Sequence, residues 1–270
     1  MKQEIYNAVR AYIKAIPKKD DAVPAEIYEK SIDALAPILK DMNDGVELSE
    51  NDKSDLLWDL ESFFITKLHH DGTFLGNPEV QLWFDEHKTD FNYNYWNAYK
   101  DFLAESSSNI PQSVIDANEK IIDGVLDYSG DPRKEGNWHR KGMVMGNVQS
   151  GKTLNYIGLI NKAADVGYKT FILIGGHMND LRKQTQERID EGFIGKASKH
   201  LRDSFGNDID VGVGLLRHEA DVNYLTSTES DFNSRVASAT GITLRSDTPT
   251  IFVIKKNTKI LENLYKWIKE

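Results

Sequence analysis

Apolar residues recur at helical spacing through the first 130 positions of the chain. Ile5, Ala8, Val9, Tyr12, Ile13 and Ile16 fall three or four apart and predict a helix over residues 4–16. A charged turn follows at 18–22, and Pro24 suits the first turn of a second helix reaching about residue 42. Ser49 with Asp52 makes a capping signal ahead of Leu56, Leu57, Leu60, Phe63, Phe64 and Leu68. Residues 69–90, holding Gly72, Gly76 and Pro78, read as a looser stretch. An aromatic-rich helix is expected over 93–103. Pro111 opens another that carries Val114, Ile115, Ile121, Ile122, Val125 and Leu126.

After Gly130 the period changes. Residues 131–136 form a turn-rich connector. The pattern then predicts a short strand at 141–145, a helix over 154–164 and a second strand at 168–174. A helix over 179–191, a further strand at 211–216 and a strand at 251–254 follow. The last strand is a continuous apolar run, as a parallel strand covered on both faces requires. Asn257 caps a final helix over 259–268. Strands alternating with helices predict βαβ units, a parallel sheet, and ligands at the strands' carboxyl ends. The expected class is α/β, with a helical region at 1–130 followed by a parallel-sheet lobe at 131–270. No internal repeat is visible.

Charge supports that division. Residues 1–130 hold 12 Lys and Arg against 25 Asp and Glu, a net of −13, whereas 131–270 hold 21 against 17, a net of +4. An acidic first half repels phosphates and argues against a nucleic-acid clamp there. With 40% apolar residues and 5 Trp among 270 residues the chain can bury a core. The absence of Cys excludes disulfides, thiolate metal sites and a Cys nucleophile. Neither a signal peptide nor a membrane-spanning apolar run is present, so a cytoplasmic protein with no membrane partner is expected.

The strongest chemical signal lies between the first predicted strand of the second half and its helix. Gly146, Asn147, Val148, Gln149, Ser150, Gly151, Lys152 and Thr153 spell GxxxxGK[ST], the phosphate-binding loop of P-loop NTPases. Glycines let the backbone turn its N–H groups onto phosphate oxygens, and the helix N-terminus adds its positive dipole end. Lys152 is expected to reach the β- and γ-phosphates of ATP, and the Thr153 hydroxyl to coordinate Mg²⁺. A Gly-rich strand–helix turn that binds nothing is the bland alternative. Beyond the next strand, Gln184 and Arg188 lie four apart on one helix face. Their donors suit a nucleic-acid backbone, or equally a solvated amphipathic surface.

Taken together, residues 146–153, Gly167-Tyr168, residues 181–188, residues 190–193 and Val253-Ile254-Lys255-Lys256-Asn257 resemble the Z-one domain family. The likeness covers about residues 115–270. It implies a superfamily-two helicase-like ATPase core of RecA-like fold, belonging to endonucleases of restriction or phage defence. It also implies DNA and a nuclease or defence-system partner, and it makes Arg182, Gln184, Gln186 and Arg188 the DNA-contacting segment. One departure is plain. ATP turnover needs an acidic residue after an apolar strand, but the runs end in Gly175-Gly176, Arg217-His218 and Lys255-Lys256. No second motor domain supplying an arginine finger follows, so the lobe reads as incomplete at its C-terminus, the beginning of a longer protein. Two other function classes stay open: a small-molecule P-loop NTPase or kinase, and a non-catalytic helical interaction module on a remnant P-loop fold.

Weaker signals favour structure over chemistry. Glu86-His87-Lys88 with Asp71 has the spacing of a Mg²⁺-dependent nuclease, but charged loops produce it easily. Adjacent His69 and His70 diverge and lack a spaced partner for a metal. Trp83, Tyr93, Tyr95, Trp96 and Tyr99 are better read as core than as base-stacking platforms. Trp138, His139 and Arg140 precede the loop and carry no specific chemistry beyond that proximity.

Overall fold

A computed structural model describes residues 3–16, 25–63, 74, 76, 80–105, 110–136, 139–145, 151–198, 209–217 and 221–269. The chain divides into two compact units. One gathers Met1–Thr73, Ser107–Ile121 and Met143–Asn155, and the other Phe74–Ser106, Ile122–Gly142 and Tyr156–Glu270. Neither is a single stretch of sequence.

The first unit is built around three helices: α1 (Gln3–Ala15), α2 (Ala25–Met42) and α3 (Glu50–Phe63). Ile5, Val9 and Ile13 repeat every four residues, so they share the α1 face that is fully buried. They pack with Tyr28, Ile32, Leu35 and Leu39 of α2 and Leu56 and Leu60 of α3. Each such aliphatic side chain contributes about 1.5–3 kcal/mol by leaving water. The capping signal forms as predicted. The Asp52 N–H donates to Ser49 Oγ at 3.2 Å, and the Ser49 N–H donates to Asp52 Oδ2 at 3.0 Å.

α6 (Gln112–Tyr128) and α7 (Lys152–Asp165) are each divided between the units. In the second unit their C-terminal halves organise two shorter helices, α4 (Phe84–His87) and α5 (Asn94–Glu105). Asp127 at the end of α6 accepts the N–H groups of Trp83, Phe84 and Asp85 at 3.1, 2.6 and 3.1 Å. Asp165 at the end of α7 accepts those of Tyr95 and Trp96 at 3.0 and 2.8 Å. Carboxylates distant in sequence thus satisfy helix starts that α4, for one, caps with no side chain of its own.

The same unit contains a parallel sheet in the order β1-β3-β2, from β1 (Thr170–Ile174), β2 (Asn223–Tyr224) and β3 (Thr250–Ile254). The register pairs Thr170 with Thr250 through Ile174 with Ile254. β3 is central and buried at every residue, which is why it reads as an unbroken apolar run. Helices α8 (Asn179–Ile189), α9 (Ser234–Thr240) and α10 (Thr258–Lys269) follow strands β1, β2 and β3 in turn. Leu225, Phe232, Ala237, Phe252, Ile254 and Leu264 form the core between α9, α10 and the sheet. The class is therefore mixed α/β with a small parallel sheet, as the change of period predicts.

Two predicted strands are absent. Residues 141–145 are irregular, with Met143, Val144 and Met145 80%, 51% and 80% exposed. Apolar composition alone makes no strand without a neighbour to accept its backbone hydrogen bonds. Residues 211–216 form a 3₁₀ turn, Gly212–Leu215. Gly212 has φ +52, and a Cβ on Gly214 would strike the carbonyl of Gly195. These glycines let the turn press against the π-helical turn Asp190–Ile194 that ends α8. The strand that does form, β2, is only two residues long and leaves no periodic signature.

Candidate functional site

Of the phosphate-loop motif, Gly146, Asn147, Val148, Gln149 and Ser150 lie outside the described residues. Its last three are described. Gly151 has φ +70, a left-handed conformation that favours glycine. Its carbonyl accepts the Asn155 N–H at 3.0 Å, so the chain enters α7 directly at Lys152. Lys152 is exposed and Thr153 half-buried. Beneath them, Asn155 Nδ2 donates to Asn118 Oδ1 at 3.0 Å, and Asn118 Nδ2 donates to the Leu154 carbonyl at 3.5 Å. This buried amide pair fastens the start of α7 to α6. A helix start carrying an ammonium and a hydroxyl in its first turn is equipped to receive an anion.

The α8 residues expected to contact DNA are used differently. Arg182 is 3% exposed, and its guanidinium donates to the Ser227 and Thr228 carbonyls, each at 2.8 Å. Gln186 is fully buried; it donates to Asp190 Oδ1 and accepts from Thr226 Oγ1, both at 2.8 Å. These two tie α8 to the loop after β2 and are not presented to a ligand. The expectation for these two came from the family resemblance, and the packing of α8 turns both side chains inward. Gln184 and Arg188 are half-exposed on the same helix. Asp190 receives the Ser198 N–H and Oγ–H at 2.9 and 2.6 Å, yet burial pushes its carboxyl up to about 6. Burial likewise lowers the Arg182 guanidinium against the upward pull of Asp231 and Asp190.

The carboxyl end of the sheet holds a group that the sequence did not reveal. Gly175 and Gly176 follow β1, and a Cβ on Gly175 would sit 3.2 Å from Arg182 Cα, so glycine admits α8 closely. Beside them, the loop after β2 carries Asp231, whose Oδ2 accepts the Lys255 N–H at 3.2 Å and lies 3.9 Å from Arg182 Nε. Asp231 lies seven residues beyond β2, however, so among the described residues no apolar strand runs directly into an acidic residue.

The weaker candidates are structural or lie elsewhere. Trp83, Trp96 and Tyr99 are buried, as the core reading expects. Burial raises the Tyr95 hydroxyl to about 12 despite the Arg217 guanidinium 4.8 Å from its ring. Glu86 is exposed and Lys88 pairs with Asp85 at 2.7 Å. His69, His70, Asp71 and Trp138 lie outside the described residues, whereas His139 and Arg140 are exposed. Among the described residues no three His, Asp or Glu side chains are grouped to hold a metal ion, and no helix is long and apolar enough to cross a membrane. No protein-family model matches the chain, and neither a curated protein nor a solved structure is significantly similar to it.

Proposed function

We propose that residues 146–153 bind Mg²⁺–ATP and that the chain is the nucleotide-binding lobe, of P-loop NTPase type, of a cytoplasmic, helicase-like DNA-processing protein. The observation that carries the reading is Gly151: left-handed at the sixth position of GxxxxGK[ST] and continuous with a helix that begins at the motif lysine. The donor set fits the group. Lys152 would meet the terminal phosphates, Thr153 would take a place on Mg²⁺, and the first-turn N–H groups of α7 would face anionic oxygens. ATP supplies the phosphoanhydride whose hydrolysis would drive movement on DNA. The DNA-processing part is supported by the resemblance of residues 146–153, 181–188 and 253–257 to the Z-one domain family.

Equilibrium binding of Mg²⁺–ATP, comparing this chain with Lys152→Ala, tests the reading. Saturable binding to the parent, lost at least tenfold in the variant, is expected, with very slow turnover. Equal binding by both proteins would overturn it. Absence of binding by either would favour the second reading, a non-catalytic interaction module on a remnant loop. The exposed and irregular segment 141–145 is the observation favouring that alternative.

A further inference from the structure

α9 and α10 face each other across a hollow of about 410 Å³, lined by Ser234, Arg235, Ser238, Asn263, Lys266 and Trp267. No acidic side chain lines it. Arg235 and Lys266 are exposed, and among the described residues neither has a carboxylate partner. Two cations on one small surface repel each other, and an anion between them relieves that repulsion. The two serine hydroxyls and the Asn263 amide add neutral donors beside the charged ones.

The remaining wall is aromatic and fixed. Trp267 packs edge-on against Phe232 and Phe252, with ring centroids 5.8 and 5.9 Å away. Its indole N–H donates to Ser238 Oγ at 3.3 Å, so the half-exposed ring is already oriented. Outside the hollow, Tyr265 is 59% exposed and carries Lys269 over its face at 4.5 Å. Residues 255–269 contain five lysines and one acid, Glu262, in a chain whose net charge is −9. Basic side chains interleaved with exposed aromatic faces match phosphate groups joined to planar bases. An open hollow with two cations and an indole on its wall suits a running strand better than an enclosed small molecule. A duplex would bring the phosphates but keep its base faces stacked away from Trp267.

We propose that the α9–α10 hollow binds single-stranded nucleic acid, with phosphates on Arg235 and Lys266 and a base against Trp267. This surface lies apart from the α8 residues and does not depend on the ATP reading. The test is fluorescence anisotropy of a labelled twelve-nucleotide oligothymidylate with the whole chain, without nucleotide, over a series of salt concentrations. The variant Arg235→Gln/Lys266→Gln is expected to bind at least tenfold more weakly. Its log K against log salt should be shallower by about 1.4, the effect of two lost single-strand phosphate contacts. A control removing two charges elsewhere, Lys40→Gln/Lys53→Gln, should bind like the parent, and an oligomer with abasic sites should bind less tightly to all three. Failure of the parent to bind at low salt, or parent-like binding and slope in the Arg235/Lys266 variant, would overturn the proposal. So would AMP or inorganic phosphate displacing the oligomer as effectively as unlabelled strand, because the hollow would then be a site for small anions.

Discussion

Lys162 shows how a single buried charge is made tolerable. Its side chain is 3% exposed and its ammonium is paired with Asp123, which is 25% exposed. The same ammonium lies 5.6, 5.4 and 5.4 Å from the ring centroids of Phe84, Tyr93 and Trp96. An isolated buried ammonium would cost several kcal/mol, but a carboxylate and three ring faces return much of that. Three of the aromatic residues between positions 83 and 99 thus enclose a lysine of the chain itself. Lys162→Met keeps the aliphatic stem and strands Asp123 without its ammonium, so urea unfolding should show a loss of about 2–4 kcal/mol. Adding Asp123→Asn should recover at least half of that loss, since a broken buried pair is worse than none. A single variant within about 0.5 kcal/mol of the parent would mean that the pair and its cage do not hold this unit together.

At the level of elements, the 3₁₀ turn Gly212–Leu215 is held in place by what its glycines lack. A Cβ on Gly214 would meet backbone atoms of Gly195, which cannot rotate aside as a side chain tip can. Gly214→Ala should therefore cost at least about 2 kcal/mol in urea unfolding, an overpacking penalty. Gly241 provides the contrast, because its φ is +72 but nothing lies within 4 Å of its Cβ position. Gly241→Ala should cost only the left-handed strain, about 1 kcal/mol. Equal losses would show that the Gly195–Gly214 approach is not what positions the turn. The same comparison shows what the sequence could reveal. β1, β3, α7 and α10 were legible because each is a run with one dominant period. The segment 211–216 looked like a strand because alternating Val and Gly imitates period two, while its true determinant, contact with Gly195, is tertiary. Arg182 and Gln186 were expected to face DNA from the family resemblance alone, and a polar helix face gives no sign whether water or the chain's own carbonyls will satisfy it. Of the phosphate loop, the turn at Gly151 and the helix start at Lys152 were legible, because both follow from local backbone chemistry.

For the molecule as a whole, the buried carboxyls set an unusual dependence of stability on pH. Burial raises Asp165 to about 6 and Asp190 to about 6 from an ordinary 3.8, although both accept hydrogen bonds that favour the ionised form. Between about pH 4 and pH 6 the folded protein then binds more protons than the unfolded chain, so stability falls as pH rises through that window. Two pKa units correspond to roughly 3 kcal/mol per group, an upper figure that partial hydration reduces. Carboxyls held low act in the opposite sense at lower pH. Hydrogen bonds and charge from Arg133 keep Asp131 down against its burial, while Ser49 lowers Asp52 and Lys169 lowers Asp247. Their stabilising contribution is present above the unfolded value and disappears as pH falls through the folded one. The two sets act in opposite senses, the raised pair opposing stability as pH rises towards 6 and the lowered set opposing it as pH falls. Thermal unfolding followed by circular dichroism from pH 3 to pH 8 should show the midpoint declining between about pH 4 and pH 6. Asp190→Asn removes one of the two titrations and should make the decline between pH 4 and pH 6 shallower, whatever it does to the midpoint itself. A midpoint that climbs from pH 4 to pH 6 in the parent would show that the donors around Asp165 and Asp190 outweigh their burial.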